Sequence, residues 1–266
     1  MEGHALGFQG YIFDLDGTVY LGEHLLPGAA EAIDALRRSG AAVIFLSNKP
    51  IQRREAYAAK LERLGIPVDP QDVINSSLVL ARRLATEAPG ARVFAIGETP
   101  LLDELQEAGL VLEHDPGRIE WVIASLDRQL TYRQLDIAYK ALARGARFCA
   151  TNPDRTLPLE GEQIPDCAAV IGALEACSGR RVEWVAGKPS PVMLQAALDR
   201  VQQPAERCLV IGDRLETDVA MGRECGAYAA LVLTGVTTPE ILAQSPIRPD
   251  FVCAGIHEIP GLKPPP

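Results

Sequence analysis

Asp14 and Asp16 stand two positions apart in the run Tyr11-Ile-Phe-Asp-Leu-Asp-Gly-Thr18. In an extended chain residues two apart point to the same side, and Gly17 lets the backbone turn away just beyond them. Two like charges at one strand end repel. A hard divalent cation such as Mg2+ relieves that repulsion and leaves one acid to act as a nucleophile or proton carrier. Three further segments carry reactive side chains: Ser47-Asn48, Lys188 in Gly187-Lys-Pro189, and Asp213 with Asp218 in Gly212-Asp-Arg-Leu-Glu-Thr-Asp218. A carboxylate pair, a hydroxyl beside backbone donors, a lysine and a second carboxylate pair suit phosphoryl transfer. One acid attacks phosphorus while Mg2+, the lysine and N–H groups hold the equatorial oxygens.

Apolar runs place those groups. Tyr11–Leu15, Ala42–Leu46 and Cys208–Ile211 read as strands, each ending at one of the segments above. The fully apolar run Ala-Val-Ile-Phe-Leu at 42–46 is what a strand buried on both faces requires. Pro27–Arg38, Ile51–Leu64, Pro191–Gln202 and Glu216–Cys225 read as helices between them, and Ala229–Leu233 as a further strand. In an open parallel sheet the loops at the carboxyl ends of the strands converge on one crevice. A second strand–helix series starts near Ala91, with strands at Arg92–Ile96, Trp121–Ser125 and Ala146–Cys149. Thr151–Pro165, rich in Pro, Gly and Asp, reads as a long functional loop.

Composition narrows the choices. The 266 residues suffice for one large α/β domain or a domain with an inserted module. Hydrophobic residues make up 47% and aromatics 5%, so the core is aliphatic, as under a helix-covered parallel sheet. A net charge of −9 with no basic run longer than two residues argues against a nucleic-acid partner. Met1–Gln9 lacks the pattern of a signal peptide, and no stretch approaches the ~18 apolar residues of a membrane helix. Six scattered cysteines without a CxxC pair fit a reduced, cytoplasmic protein. The four dispersed histidines, His4, His24, His114 and His257, receive no role.

In type and order the four segments resemble those of the haloacid dehalogenase (HAD) superfamily of phosphohydrolases. Asp14-Leu-Asp-Gly-Thr18 matches its first motif, Ser47 its second, Lys188 its third and Gly212-Asp213 with Asp218 its fourth. The resemblance implies a doubly wound, Rossmann-like core and these roles. Asp14 is the nucleophile that forms an aspartyl-phosphate and a metal ligand. Asp16 is the acid for the leaving alcohol, then the base for water, with its backbone carbonyl on Mg2+. The Ser47 hydroxyl and the Asn48 N–H bind phosphate oxygens. Lys188 bridges Asp14 and the phosphoryl group, Asp213 binds the metal, and Asp218 orients its waters or Lys188. The second motif departs from the frequent Thr-Asn-Asn-Ser: here it is Ser47-Asn-Lys-Pro50, which adds a charge and removes a backbone donor.

Spacing locates an insertion. Only 31 positions separate Asp16 from Ser47, but 141 separate Ser47 from Lys188. The expected division is therefore a core at 1–80 and 184–266 and an inserted α/β cap at 81–183. A cap there, with Thr151-Asn-Pro-Asp154 and Leu233-Thr-Gly-Val-Thr-Thr238, resembles subfamily IIA, the nitrophenylphosphatase-like and sugar-phosphate or nucleotide phosphatases. Asn152 and Asp154 are expected to face the core crevice and help select the leaving group. The resemblance also implies a small phosphate ester as substrate (a sugar phosphate, a nucleoside monophosphate or phosphoglycolate) and a homodimer paired through the cap; the lack of a long apolar stretch leads to no expected membrane partner. Three rivals share the scaffold. A dehalogenase has no need of Asp16, a phosphomutase moves phosphate within its substrate, and a non-catalytic binding protein would ordinarily have lost an acid that is present here.

Overall fold

β-branched and aromatic runs form strands here wherever Gly, Pro or Asp punctuate them. The computed structural model describes residues 7–159 and 162–265. His4 and most of the segment weighed above as a signal peptide lie outside the described residues, as does Pro266 of the proline tail. In chain order the first elements are β1 (Gly10–Asp14), the hairpin β2 (Tyr20–Leu21) and β3 (His24–Leu25), α1 (Ala29–Arg38), β4 (Ala42–Ser47), α2 (Arg54–Arg63) and β5 (Val73–Asn75). The middle of the chain forms α3 (Ser76–Glu87), β6 (Arg92–Ile96), α4 (Thr99–Glu107), β7 (Val111–Leu112), β8 (Trp121–Ala124), α5 (Tyr132–Ala143) and β9 (Arg147–Ala150). The hairpin β10 (Thr156–Leu159) and β11 (Glu162–Pro165), α6 (Cys167–Ser178) and β12 (Trp184–Val185) follow. The last stretch holds α7 (Pro191–Val201), β13 (Cys208–Gly212), α8 (Ala220–Glu224), β14 (Tyr228–Val232), α9 (Pro239–Gln244) and β15 (Phe251–Cys253).

The chain divides into two compact units. The first comprises the chain up to Ser47, Arg54–Ile74 and the chain from Lys188 onward. Its six-stranded sheet runs in the order β15-β14-β13-β1-β4-β5. β1 pairs in parallel with β13 on one side and β4 on the other, with Phe13 opposite Ile211 and Asp14 opposite Leu46. Adjacent strands therefore end in Gly212, Asp14 and Ser47, which brings three of the four motifs to one sheet edge. Phe13, Phe45, Leu209 and Ile211 pack with Ile33 and Leu36 of α1 in the core of this unit.

The second unit comprises Asn48–Arg53 and Asn75–Gly187. Its five strands, in the order β12-β9-β8-β6-β7, are parallel. Phe94, Val122 and Phe148 of the sheet pack against Ala138, Leu142 and Leu174 of α5 and α6. The expected boundaries at 80/81 and 183/184 are corrected by local bonding. Asn75 caps α3 by accepting from the Leu78 N–H at 3.0 Å, so 76–80 cannot part from the rest of that helix. Trp184 and Val185 pair with Cys149 and Ala150, which keeps β12 with the second sheet. The short segment after Ser47 is held there too: Ser76 Oγ donates to the Asn48 carbonyl at 2.6 Å, and Asn75 Nδ2 to that of Gln52 at 2.7 Å.

Two local expectations are also revised. Thr151–Pro165 is not a plain loop but leads into the antiparallel ribbon β10–β11, with Leu157 opposite Ile164. Pro158 and Pro165 mask that signal, because proline disqualifies only central strands and a two-stranded ribbon is all edge. The helix expected from Glu216 opens instead as a wide π-turn over Leu215–Val219 before α8. Such single wide turns gather at functional sites.

Candidate active site

Asp14 is the last residue of β1, and its carboxylate is largely buried, about one-tenth exposed. Lys188 is buried as well, and its ammonium donates to Asp14 Oδ1 and, at 2.7 Å, to Asp218 Oδ1. The wide turn explains why Asp218 can reach it. The turn folds the carboxylate back over its own start, where Oδ2 accepts from the Arg214 N–H at 3.3 Å and from the Thr217 hydroxyl at 3.2 Å. Gly212 makes that possible, since a Cβ there would overlap the Asp218 side chain. Asp213 follows β13 directly; its Oδ2 accepts from the Val236 N–H at 2.6 Å and its carbonyl from the Thr237 N–H at 3.1 Å.

Carboxylate oxygens of Asp14, Asp213 and Asp218 lie within 4.8 Å of one another. Burial, against the pull of Lys188 and reinforced by Asp218 and Asp213, pushes the Asp14 carboxyl above the ordinary carboxylate range. Burial and the neighbouring Asp218 push Asp213 upward also, while the Val236 N–H draws it back. Lys188 is held charged: burial works against its ammonium, but Asp14 and Asp218 outweigh that and raise its pKa. Three buried carboxylates face one ammonium, leaving an uncompensated negative charge and a donor set made only of oxygen. That set fits a hard divalent cation. Asp218 is engaged by Lys188, Arg214 and Thr217, so Asp14 and Asp213 are the side chains best placed to hold one.

The other expected residues divide by unit. Ser47, 2% exposed, ends β4 in the first unit. Asp16 bridges to Tyr20 across the tight turn in which Gly17 takes φ 85°; its carboxylate lies outside the three-acid cluster. Asn48, Asn152 and Asp154 belong to the second unit. There Asn152 is fully buried, donates to the Asn48 carbonyl at 2.9 Å and accepts from the Asp154 N–H at 3.1 Å. Its amide thus holds backbone within the second unit. Asp154 accepts from Asn48 Nδ2 at 3.0 Å, so Thr151-Asn-Pro-Asp154 is where the second unit grips the segment after Ser47.

Sequence reasoning passed over the loop after β14 as a positioning element. Thr234 Oγ1 donates to the Gly17 carbonyl at 2.7 Å, and the neighbouring Val236 N–H is the one that holds Asp213. Its signal was the run Thr-Gly-Val-Thr-Thr after a strand, small residues that let backbone approach a carboxylate.

Comparison with known proteins assigns the chain to a family. Residues 11–111 match the family described as Haloacid dehalogenase-like hydrolase, and residues 185–259 a second, HAD-hydrolase-like family. The chain belongs to the haloacid dehalogenase-like hydrolases and, within them, to the phosphatases of subfamily IIA. It is 40% identical over 253 residues to the sugar-phosphatase AraL of Bacillus subtilis, an alignment covering 95% of this chain and 92% of the relative. A p-nitrophenyl phosphatase from Archaeoglobus fulgidus superposes with a TM-score of 0.91 at 34% identity, covering 96% of this chain and 99% of that one. A glycerol phosphate phosphatase from Mycobacterium tuberculosis, solved with magnesium, gives 0.88 at 30% identity over 95% of this chain and 76% of its own. Among the described residues no helix is long and apolar enough to cross a membrane.

Proposed function

We propose that this chain hydrolyses a small phosphorylated metabolite, foremost a sugar phosphate, through an aspartyl-phosphate on Asp14, with Mg2+ as cofactor. The observation that carries the reading is Lys188 bonded to both Asp14 and Asp218, with Asp213 close by. A lone buried carboxylate does not attack an anionic phosphate ester readily, because like charges repel. Lys188 offsets that repulsion and stays protonated between two acids. An Asp14 oxygen bonds to phosphorus as the ester oxygen departs, and Asp16 supplies the proton that leaves with the alcohol. Asp16, now ionised, takes a proton from water as that water attacks the phosphoryl group, which frees Asp14 and inorganic phosphate. Ser47 and the Asn48 N–H hold phosphoryl oxygens. Bound at Asp14 and Asp213, Mg2+ would supply positive charge to the developing oxyanions.

Relatives that are a sugar-phosphatase and a glycerol phosphate phosphatase support a small substrate. The second unit enters the chain next to Ser47 and leaves it next to Lys188, which supports a role as a cap that selects the leaving group. Turnover against a broad panel of metabolite phosphates, with Mg2+ and with EDTA, tests the reading. Inorganic phosphate released from sugar phosphates, silenced by EDTA and restored by Mg2+, is the expected result. Phosphate that migrates within the substrate without release would identify a mutase. Binding without turnover across the panel would identify a non-catalytic protein.

A further inference from the structure

The loop after β14 touches both acid-bearing turns of the first unit. β14 lies beside β13, with Leu231 opposite Gly212, so the chain leaves the sheet next to Asp213. Thr234 then donates its hydroxyl to the Gly17 carbonyl at 2.7 Å. Two residues on, the Val236 N–H takes one oxygen of the Asp213 carboxylate at 2.6 Å, and the Thr237 N–H takes the Asp213 carbonyl at 3.1 Å. The approach is close enough to exclude side chains. A Cβ on Gly17 would lie 2.8 Å from Asp213 Oδ2 and 3.2 Å from the Gly235 Cα, and a Cβ on Gly235 would overlap the Asp213 carboxylate.

These contacts are not what burial alone would give. Gly235 and Val236 are exposed and Thr234 is only partly buried, so the stretch gains little by covering apolar surface. Instead the hydroxyl ties the turn behind Asp14 and Asp16, and the following N–H groups tie Asp213. We propose that Thr234, Gly235 and Val236 act as a clamp that sets the distance between these two turns and thereby the site's affinity for a divalent cation. Thr234 is a positioning residue: it acts through Gly17, not on the reacting atoms. The inference rests on the cation site of the proposed function but not on the identity of the ester.

The test uses the full chain, Mn2+ as an EPR-visible probe, and Mg2+ by calorimetry. Thr234→Val keeps shape and removes the donor, Thr234→Ser keeps the donor, and Gly235→Ala pushes a methyl against Asp213. Thr234→Val and Gly235→Ala should each weaken Mn2+ binding about tenfold, the lower end of the range for partners that orient metal ligands. Thr234→Ser should bind like the parent. KM for an ester at saturating Mn2+ should stay the same, because the proposed clamp acts on the cation's affinity. A folded Thr234→Val that binds Mn2+ as the parent does overturns the clamp, as does Thr234→Ser impaired to the same degree. Should Thr234→Val fail to fold, Gly235→Ala with unchanged Mn2+ affinity overturns it by itself. A parent chain that binds Mn2+ yet hydrolyses no ester would end the phosphatase reading while leaving this titration decisive for the clamp.

Discussion

Replacing Lys188 by Met should destabilise the cation-free protein and, separately, cripple catalysis. The ammonium is buried and makes two charged hydrogen bonds, to Asp14 and Asp218, themselves shielded from water. Hydrogen bonds to charged groups are worth about 1.5–3 kcal/mol each. Two of them suggest a loss near the roughly 3–5 kcal/mol typical of removing one partner from a buried ion pair. For a chain of this size each kcal/mol moves the melting point by about 2–4 °C, so Lys188→Met should melt roughly 6–20 °C below the parent in EDTA. The cost comes from two stranded carboxylates, and neutralising one should return part of it. Lys188→Met/Asp218→Asn should therefore be less destabilised than the sum of its single changes, by on the order of 1–3 kcal/mol. Mg2+ at about 100 times its Kd should recover about 2.7 kcal/mol if the site still binds it. The assay is urea and thermal unfolding followed by circular dichroism, in EDTA and in Mg2+. A Lys188→Met protein melting within about 2 °C of the parent in EDTA would refute the idea that this lysine compensates a buried cluster of acids.

Asp14→Asn should leave the fold intact and abolish inorganic phosphate release, measured by a colorimetric assay against a sugar phosphate. Asp16→Asn should lower kcat by about 10²–10⁴-fold, with less loss for esters of acidic alcohols such as p-nitrophenol, whose departure needs no proton. Burial and crowding hold the Asp14 and Asp213 carboxyls above their ordinary range. Cation binding favours their ionised forms, so it should release protons and weaken as pH falls; calorimetry in two buffers of different ionisation enthalpy reads the release. Asp166 caps α6 through the Cys167 N–H at 2.6 Å, yet burial pushes its carboxyl up to about 6. The folded state then holds that proton more tightly than the unfolded chain. Its contribution should favour folding increasingly as pH drops from above 6 towards ~4, the ordinary carboxyl range, and Asp166→Asn should flatten that part of the stability profile.

The chemistry was legible from local sequence because it sits at strand ends. A strand shows itself by an apolar run, its carboxyl end by the Gly or polar residue that stops it, and parallel pairing brings such ends together. Strand ends alone thus assign Asp14, Ser47 and Asp213 to one edge, and the long gap from Ser47 to Lys188 announces an insertion. Three things depended on long-range bonding that no local pattern encodes. The edge of the second unit was decided by side-chain bonds from Asn75, Ser76 and Asn152 to the segment after Ser47, which reattached residues the spacing had given to the core. Asn152 turned inward to hold backbone, a choice between solvent and interior that Asn-Pro-Asp leaves open. The service of Val236 to Asp213 spans 23 residues and that of Thr234 to Gly17 spans 217. Residue types and their spacing therefore determined which groups could react; only the folded chain decided which neighbours hold them, because hydrogen-bond partners are chosen by proximity in space and not along the chain.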